Sequence, residues 1–137
     1  MRPIKFRVWD IKNKKFIYEY DACHKRLAIS FDGKVYHGGY DDVLSTSDYI
    51  VQQYTGLKDK NGKEIYEGDI IHYLFDGASY PKEAQDKYLT CVYDSDFGGF
   101  CFDDADSSYY WAEVRGYMEV IGNIFETPEL LDKPKEL

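Results

Sequence analysis

Cysteine is scarce in this chain, with 3 among 137 residues, and Cys23, Cys91 and Cys101 are odd in number with no Cys-x-x-Cys spacing. That excludes a disulfide framework and gives no zinc-ligand pattern, so all three read as reduced thiols. The histidines His24, His37 and His72 are spread over three separate segments. Cys23-His24 is the pair best suited to metal or nucleophile chemistry, but it has no second ligand pair at workable spacing. A glycine-rich phosphate cradle is also missing, so neither metal nor organic cofactor is expected. Apolar runs fall well short of the roughly 20 residues that span a bilayer, and the N-terminus lacks the apolar stretch of a signal peptide. No membrane partner is therefore expected, and the protein is expected in the cytoplasm. Finally, residues 91–114 contain no Lys or Arg at all.

Aromatic side chains are abundant: 14 Tyr, 8 Phe and 2 Trp bring their share to 18%. Such a composition favours strands over helical bundles, and a chain of this length buries one core rather than two independent ones. The expected fold is mainly β and hairpin-rich, with α+β as the alternative. Residues 1–137 form one domain, with an N-terminal β lobe over 1–51 and an SH3-like, barrel-type lobe over 52–131. Strands are expected at 4–9 and 16–20, and at 26–31 and 34–37 across Asp32-Gly33. Others follow at 49–54, 70–75, 88–93, 99–102, 109–112 and 117–125, with a bulge at Gly122. Residues 76–87 read as a long loop. Thr127-Pro128-Glu129 starts a short helix, with a capping hydroxyl, a proline at the first helical position and an acid near the positive end of the dipole. Cys91 and Cys101 flank a hairpin on which they could face each other.

Residues 53–70 carry the densest information. Asn61-Gly62 suits a two-residue type I′ turn, because both central positions need φ > 0. Glu67-Gly68-Asp69 is a sharp corner that feeds the strand at 70–75. Tyr54, Thr55, Gly56, Leu57, Asn61, Gly62, Tyr66, Gly68 and Asp69 lie in a segment that resembles the hallmark of the YopX family of phage and prophage proteins. The likeness extends to Lys5-Phe6-Arg7-Val8-Trp9-Asp10 and to the closing block at 119–131. Family members often carry Tyr and Asn where this chain has Phe125 and Thr127, replacements that keep an aromatic body and a capping oxygen. Residues 23–48 match no part of the pattern. The resemblance implies a phage- or prophage-encoded cytoplasmic accessory protein of unassigned activity.

The net charge of −8 is unevenly placed. Residues 1–17 hold six basic side chains against Asp10 alone, a net of +5, while residues 91–114 carry −6. Strand alternation puts Lys5, Arg7 and Trp9 on one face, and with Lys12, Lys14 and Lys15 they compose a surface for nucleic acid or a protein partner. Asp94, Asp96, Asp103, Asp104 and Asp106 form the complementary acidic interface. Asp94-Ser95-Asp96 loosely echoes a calcium loop, but the fifth position is Gly98 and the twelfth Ala105, neither of which offers a side-chain ligand. Asp103, Asp104, Asp106 and Glu113 could instead be read as a nuclease-like cluster.

Two functions follow from these residues. One is a non-enzymatic binding or assembly module, a homo-oligomer or the partner of a host protein. The alternative is a nucleic-acid binding or processing protein acting in phage replication, which an overall charge of −8 opposes at long range.

Overall fold

The computed structural model describes residues 3–18, 27–37, 42–43, 48–74, 86–103, 108–110 and 118–132, with backbone only at 37, 42–43, 74, 86 and 108–110. The chain is mainly β, and no α-helix occurs among the described residues. It divides into two compact units, Met1–Tyr54 and Thr55–Leu137.

In the first unit, β1 (Phe6–Asp10) pairs antiparallel with β2 (Lys15–Ile17) and with the first half of β6 (Tyr49–Lys58). A separate three-stranded sheet joins β3 (Leu27–Ile29), β4 (Val35–His37) and β5 (Asp42–Val43). In the second unit, β7 (Glu64–Tyr66) lies beside β6. The remaining strands are β8 (Asp69–Leu74), β9 (Asp86–Asp94), β10 (Gly99–Asp103), β11 (Ser108–Tyr110) and β12 (Met118–Asn123). They form an antiparallel sheet in the order β11-β10-β9-β8-β12, followed by a 3-10 helix at Pro128–Asp132.

The core of the second unit follows the two-residue period of its strands. Ile71 and Tyr73 of β8, Leu89 and Cys91 of β9, Phe102 of β10, and Met118 and Val120 of β12 pack with Ile65, with Leu57 against them. Ile70 and Cys101 point to the other face and are also buried, so the middle of this sheet is covered on both sides. That double covering explains the unbroken apolar pair Ile70-Ile71.

The same register corrects the reading of the cysteines. Cys91 stands opposite Phe102 and Cys101 opposite Val92, so the two thiols occupy opposite faces and cannot meet.

The turn at Asn61-Gly62 also differs from expectation. Gly62 N–H donates to the Asp59 carbonyl at 3.0 Å, Asp59 N–H donates to the Lys63 carbonyl at 2.8 Å, and Gly62 has a φ of 82°. Among the described non-glycine residues only Lys14 has positive φ, so Asn61 does not adopt the conformation that a type I′ turn requires. This is a three-residue loop, a type I turn closed by a left-handed glycine. The Asp59 carboxylate selects it by accepting the N–H groups of Asn61 and Lys63 at 2.8 and 2.9 Å. The β3–β4 connection is built identically. Gly33, with a φ of 83°, donates to Ser30, Ser30 to Lys34, and the Ser30 hydroxyl bonds the Asp32 carboxylate.

Two longer hairpin loops share another design. Asp10 pairs with Lys15 across four residues, and Asp94 with Gly99 across four. In each, the leading Asp carboxylate caps loop N–H groups: Asn13 at 3.1 Å in the first, Asp96 and Phe97 at 2.9 and 3.2 Å in the second. In each, the last loop residue is left-handed, Lys14 at 54° and Gly98 at 76°. Gly98 reaches this conformation freely, whereas a side chain at Lys14 costs about 1 kcal/mol. Lys14→Gly is accordingly expected to raise the unfolding temperature by a few degrees. A lowered melting temperature in calorimetry would count against left-handed strain at this position.

Candidate functional site

The signature stretch turns three of its polar side chains, Thr55, Asp59 and Asp69, onto backbone. Thr55, at the β6 end, donates its hydroxyl to the Ile65 carbonyl at 2.8 Å and accepts Leu57 N–H at 3.1 Å, tying β6 to β7. Gly56 is left-handed with a φ of 87°, and Tyr54 and Tyr66 are buried. At the corner before β8, the buried Asp69 carboxylate accepts Tyr66 N–H at 2.8 Å. Gly68, with a φ of 80°, donates to the Cys91 carbonyl at 2.7 Å and accepts Ile124 N–H at 2.9 Å.

Asp59 is the residue that the sequence analysis passed over. Besides its two loop contacts it accepts Val120 N–H from β12 at 3.0 Å, and Lys60 N–H donates to the Met118 carbonyl at 3.0 Å. Above this backbone clasp, Asn61 and Lys60 reach Glu119 at 3.3 and 3.5 Å. The loop therefore covers part of β12, the last strand of its sheet, whose main-chain groups would otherwise be an open pairing edge. Burial opposes ionisation of Asp59, but the N–H groups of Val120, Lys63 and Asn61 and the Lys63 charge outweigh it and hold the carboxyl below its ordinary pKa.

Gly62 at the loop tip has open space where a Cβ would sit, so substitution there meets only a backbone penalty. Gly62→Val is expected to cost about 1 to 3 kcal/mol, and Gly62→Asn distinctly less. Thermal melting of the pair checks this ordering. Equal losses would place the penalty in contacts rather than in φ.

The C-terminal block is similarly committed. The register of β12 shifts between Val120 and Gly122, which is the expected bulge. The Asn123 side chain accepts Phe125 and Glu126 N–H at 3.0 and 2.8 Å and donates to the Glu126 carboxylate at 2.8 Å. Thr127 does not cap the 3-10 helix with its hydroxyl. It turns back to Asn123 N–H at 3.0 Å, while its carbonyl accepts Leu130 N–H at 3.1 Å.

The basic end is less of a surface than alternation implies. Arg7 and Trp9 retain only 5% and 7% exposure, and every β1 residue after Phe6 is buried. Arg7 Nε donates to Gln52 Oε1 at 2.9 Å, its guanidinium lies 4.2 Å from the Phe16 ring centre, and Trp9 meets the same ring edge-on at 4.8 Å. Phe16 and Gln52 cover this face of β1, so Arg7 and Trp9 work in packing and cation–π contact rather than as a stacking platform. Lys5 stays exposed with its ammonium 5.7 Å from the Tyr54 ring centre. Lys12, Lys14 and Lys15 are exposed together at the β1–β2 tip beside Ile11.

The acidic residues divide. Asp94 and Asp96 occupy the β9–β10 tip, whereas Asp103 pairs with Thr90, four residues along β10 from the Asp94–Gly99 pair, or roughly 13 Å away. Asp104, Asp106 and Glu113 lie outside the described residues, as do Cys23, His24 and the His37 side chain. Among the described residues, no three His, Cys, Asp or Glu side chains group closely enough to hold a metal ion. Burial pushes the Cys101 thiol up to about 11, helped by the Asp103 charge and a 3.5 Å hydrogen bond to its carboxylate. A thiol held protonated in this way is a poor nucleophile. His72 stacks on Tyr88 with ring centres 4.9 Å apart.

Protein EF1440 from Enterococcus faecalis, known from its crystal structure, is 27% identical, with 96% of this chain and 99% of that one covered at a TM-score of 0.58. Protein yopX from Bacillus subtilis shares the fold at 22% identity and a TM-score of 0.61, with coverage of 98% and 99%. No curated protein matches the chain. The family model described as YopX protein matches residues 5–132, from the β1 strand to the C-terminal 3-10 helix, and the chain belongs to the YopX family.

Proposed function

We propose that this chain is a phage- or prophage-encoded accessory protein that acts in the host cytoplasm as a non-catalytic binding and assembly module, with a second copy of itself as the first partner and a host protein as another. The observation that carries this reading is how the polar groups divide. Thr55, Asp59 and Asp69 of the signature stretch and Asn123 and Thr127 of the closing block are engaged on main chain, while Lys12, Lys14, Lys15 and Asp96 at the β1–β2 and β9–β10 tips are exposed. Large rings stand beside them: Tyr93 and Phe97 are 54% and 58% exposed, and Tyr and Phe are residues that interfaces enrich. No helix of the described residues is long and apolar enough to cross a membrane. The burial of Arg7 and Trp9 counts against the nucleic-acid alternative, which needs both at the surface.

Light scattering over a range of concentration and ionic strength tests the reading. An oligomer is expected at low salt, loosened as the screening length shrinks to about 3 Å near 1 M salt. A 16.0 kDa monomer at every salt and concentration would sink self-assembly.

A further inference from the structure

We infer that the β9–β10 tip of one copy receives the β1–β2 tip of a second copy, a contact that rests on the assembly reading above and gives it an address. Both tips are closed four-residue loops held by the carboxylate of the Asp that precedes them. Pre-ordered loops lose little conformational entropy on docking. Their chemistry is complementary. The donor tip presents Lys12, Lys14 and Lys15 with Ile11, all exposed, and its one acid, Asp10, is buried and bonded to Asn13. The receiving tip presents Asp94 and Asp96, with no cation within it.

Rings flank the receiving tip on both faces. Tyr93 and Phe100 pack edge-on at 5.5 Å on one side. The Phe97 ring lies over Gly99 on the other, where a Cβ at Gly99 would come 3.2 Å from it. Lysine stems lie well along such rings with the ammonium directed to the carboxylates, combining apolar burial, cation–π attraction and ion pairing. Each copy carries one tip of each kind, so the contact joins unlike patches: reciprocated between two copies it closes a two-fold dimer, and passed on from copy to copy it builds a ring or chain.

The inference is tested with two variants that each spoil one tip. Lys12→Ser with Lys15→Ser blanks the donor, and Asp96→Ser with Phe97→Ser blanks the receiver without making the two altered tips attract each other. Asp10 and Asp94 are left in place to keep the loops folded, and circular dichroism verifies that both variants fold as the unaltered chain does. Each variant alone is expected to associate at least about tenfold more weakly than the unaltered chain. Mixed in equal amounts, they retain one intact contact between unlike copies and are expected to give a 1:1 complex that grows no further. Variants that assemble as well as the unaltered chain overturn the tip contact and leave the assembly reading standing. So does a mixture that yields no 1:1 complex from folded variants while the unaltered chain assembles. An unaltered chain that stays monomeric overturns both.

Discussion

Gly122→Ala is expected to cost about 3 kcal/mol and to lower the melting temperature by roughly 10 °C, at the upper end for a single added methyl group. A Cβ at Gly122 would overlap Thr127 Oγ1 and come within 3.1 Å of Thr127 Cβ and 2.9 Å of Leu130 Cδ1. The Leu130 methyl can turn aside, but Thr127 cannot retreat cheaply. Thr127 is bonded to Asn123 at both its hydroxyl and its amide, and Leu130 belongs to the 3-10 helix that the Thr127 carbonyl starts. The methyl group must push the helix off the bulge or break those bonds. Thr127→Ala removes the most crowded atom at a cost of about 1 kcal/mol for the lost hydrogen bonds. The double variant should therefore be more stable than the sum of the two losses, since the sites are in direct contact. Strict additivity in denaturant titrations would show that the close approach is not what requires glycine at 122.

How far the sequence reveals this fold depends on how far apart the deciding residues lie. The Gly122 bulge is legible because a lone glycine in an apolar strand is a local signal, and the 3-10 helix because proline and its neighbours set it within five residues. Hairpins at 30–34 and 59–63 are legible for the same reason, but their turn type is not. Asn-Gly alone favours a two-residue turn, and the outcome turns on Asp59 two positions earlier, whose carboxylate rewards the type I geometry. The face of β1 is misread because alternation shows which residues share a side and not what covers it. Phe16 and Gln52, the latter 45 positions from Arg7, supply the cover. For Cys91 and Cys101, the parity of one loop decides. A β9–β10 connection one residue shorter would have put both thiols on the same face. The clasp by Asp59 escapes notice because its third partner, Val120, is 61 residues away.

That clasp supports the other large expected effect. Asp59→Ala should cost about 3 kcal/mol, because three backbone N–H groups lose one charged acceptor and that of Val120 is left inside the protein. Asp59→Asn should fall between, since its carbonyl oxygen can serve the loop or β12 but not both as well. The loss should also depend on pH, in a direction fixed by the lowered pKa. Although burial favours the neutral form, the N–H groups of Val120, Lys63 and Asn61 and the Lys63 charge favour the carboxylate more. A carboxyl whose folded pKa lies below its unfolded value, near 4, stabilises the protein fully above that value. The contribution fades as pH falls below that value and through the folded pKa, because folding must then release the proton that the unfolded carboxyl holds. The stability gap between the unaltered chain and Asp59→Asn should accordingly be widest and flat from pH 5 to 7 and narrow below about pH 4. Urea unfolding of both proteins across that range measures it. A gap that stays constant down to pH 2.5 would mean that hydrogen-bond geometry alone, and not the ionised carboxylate, fastens the signature loop to β12.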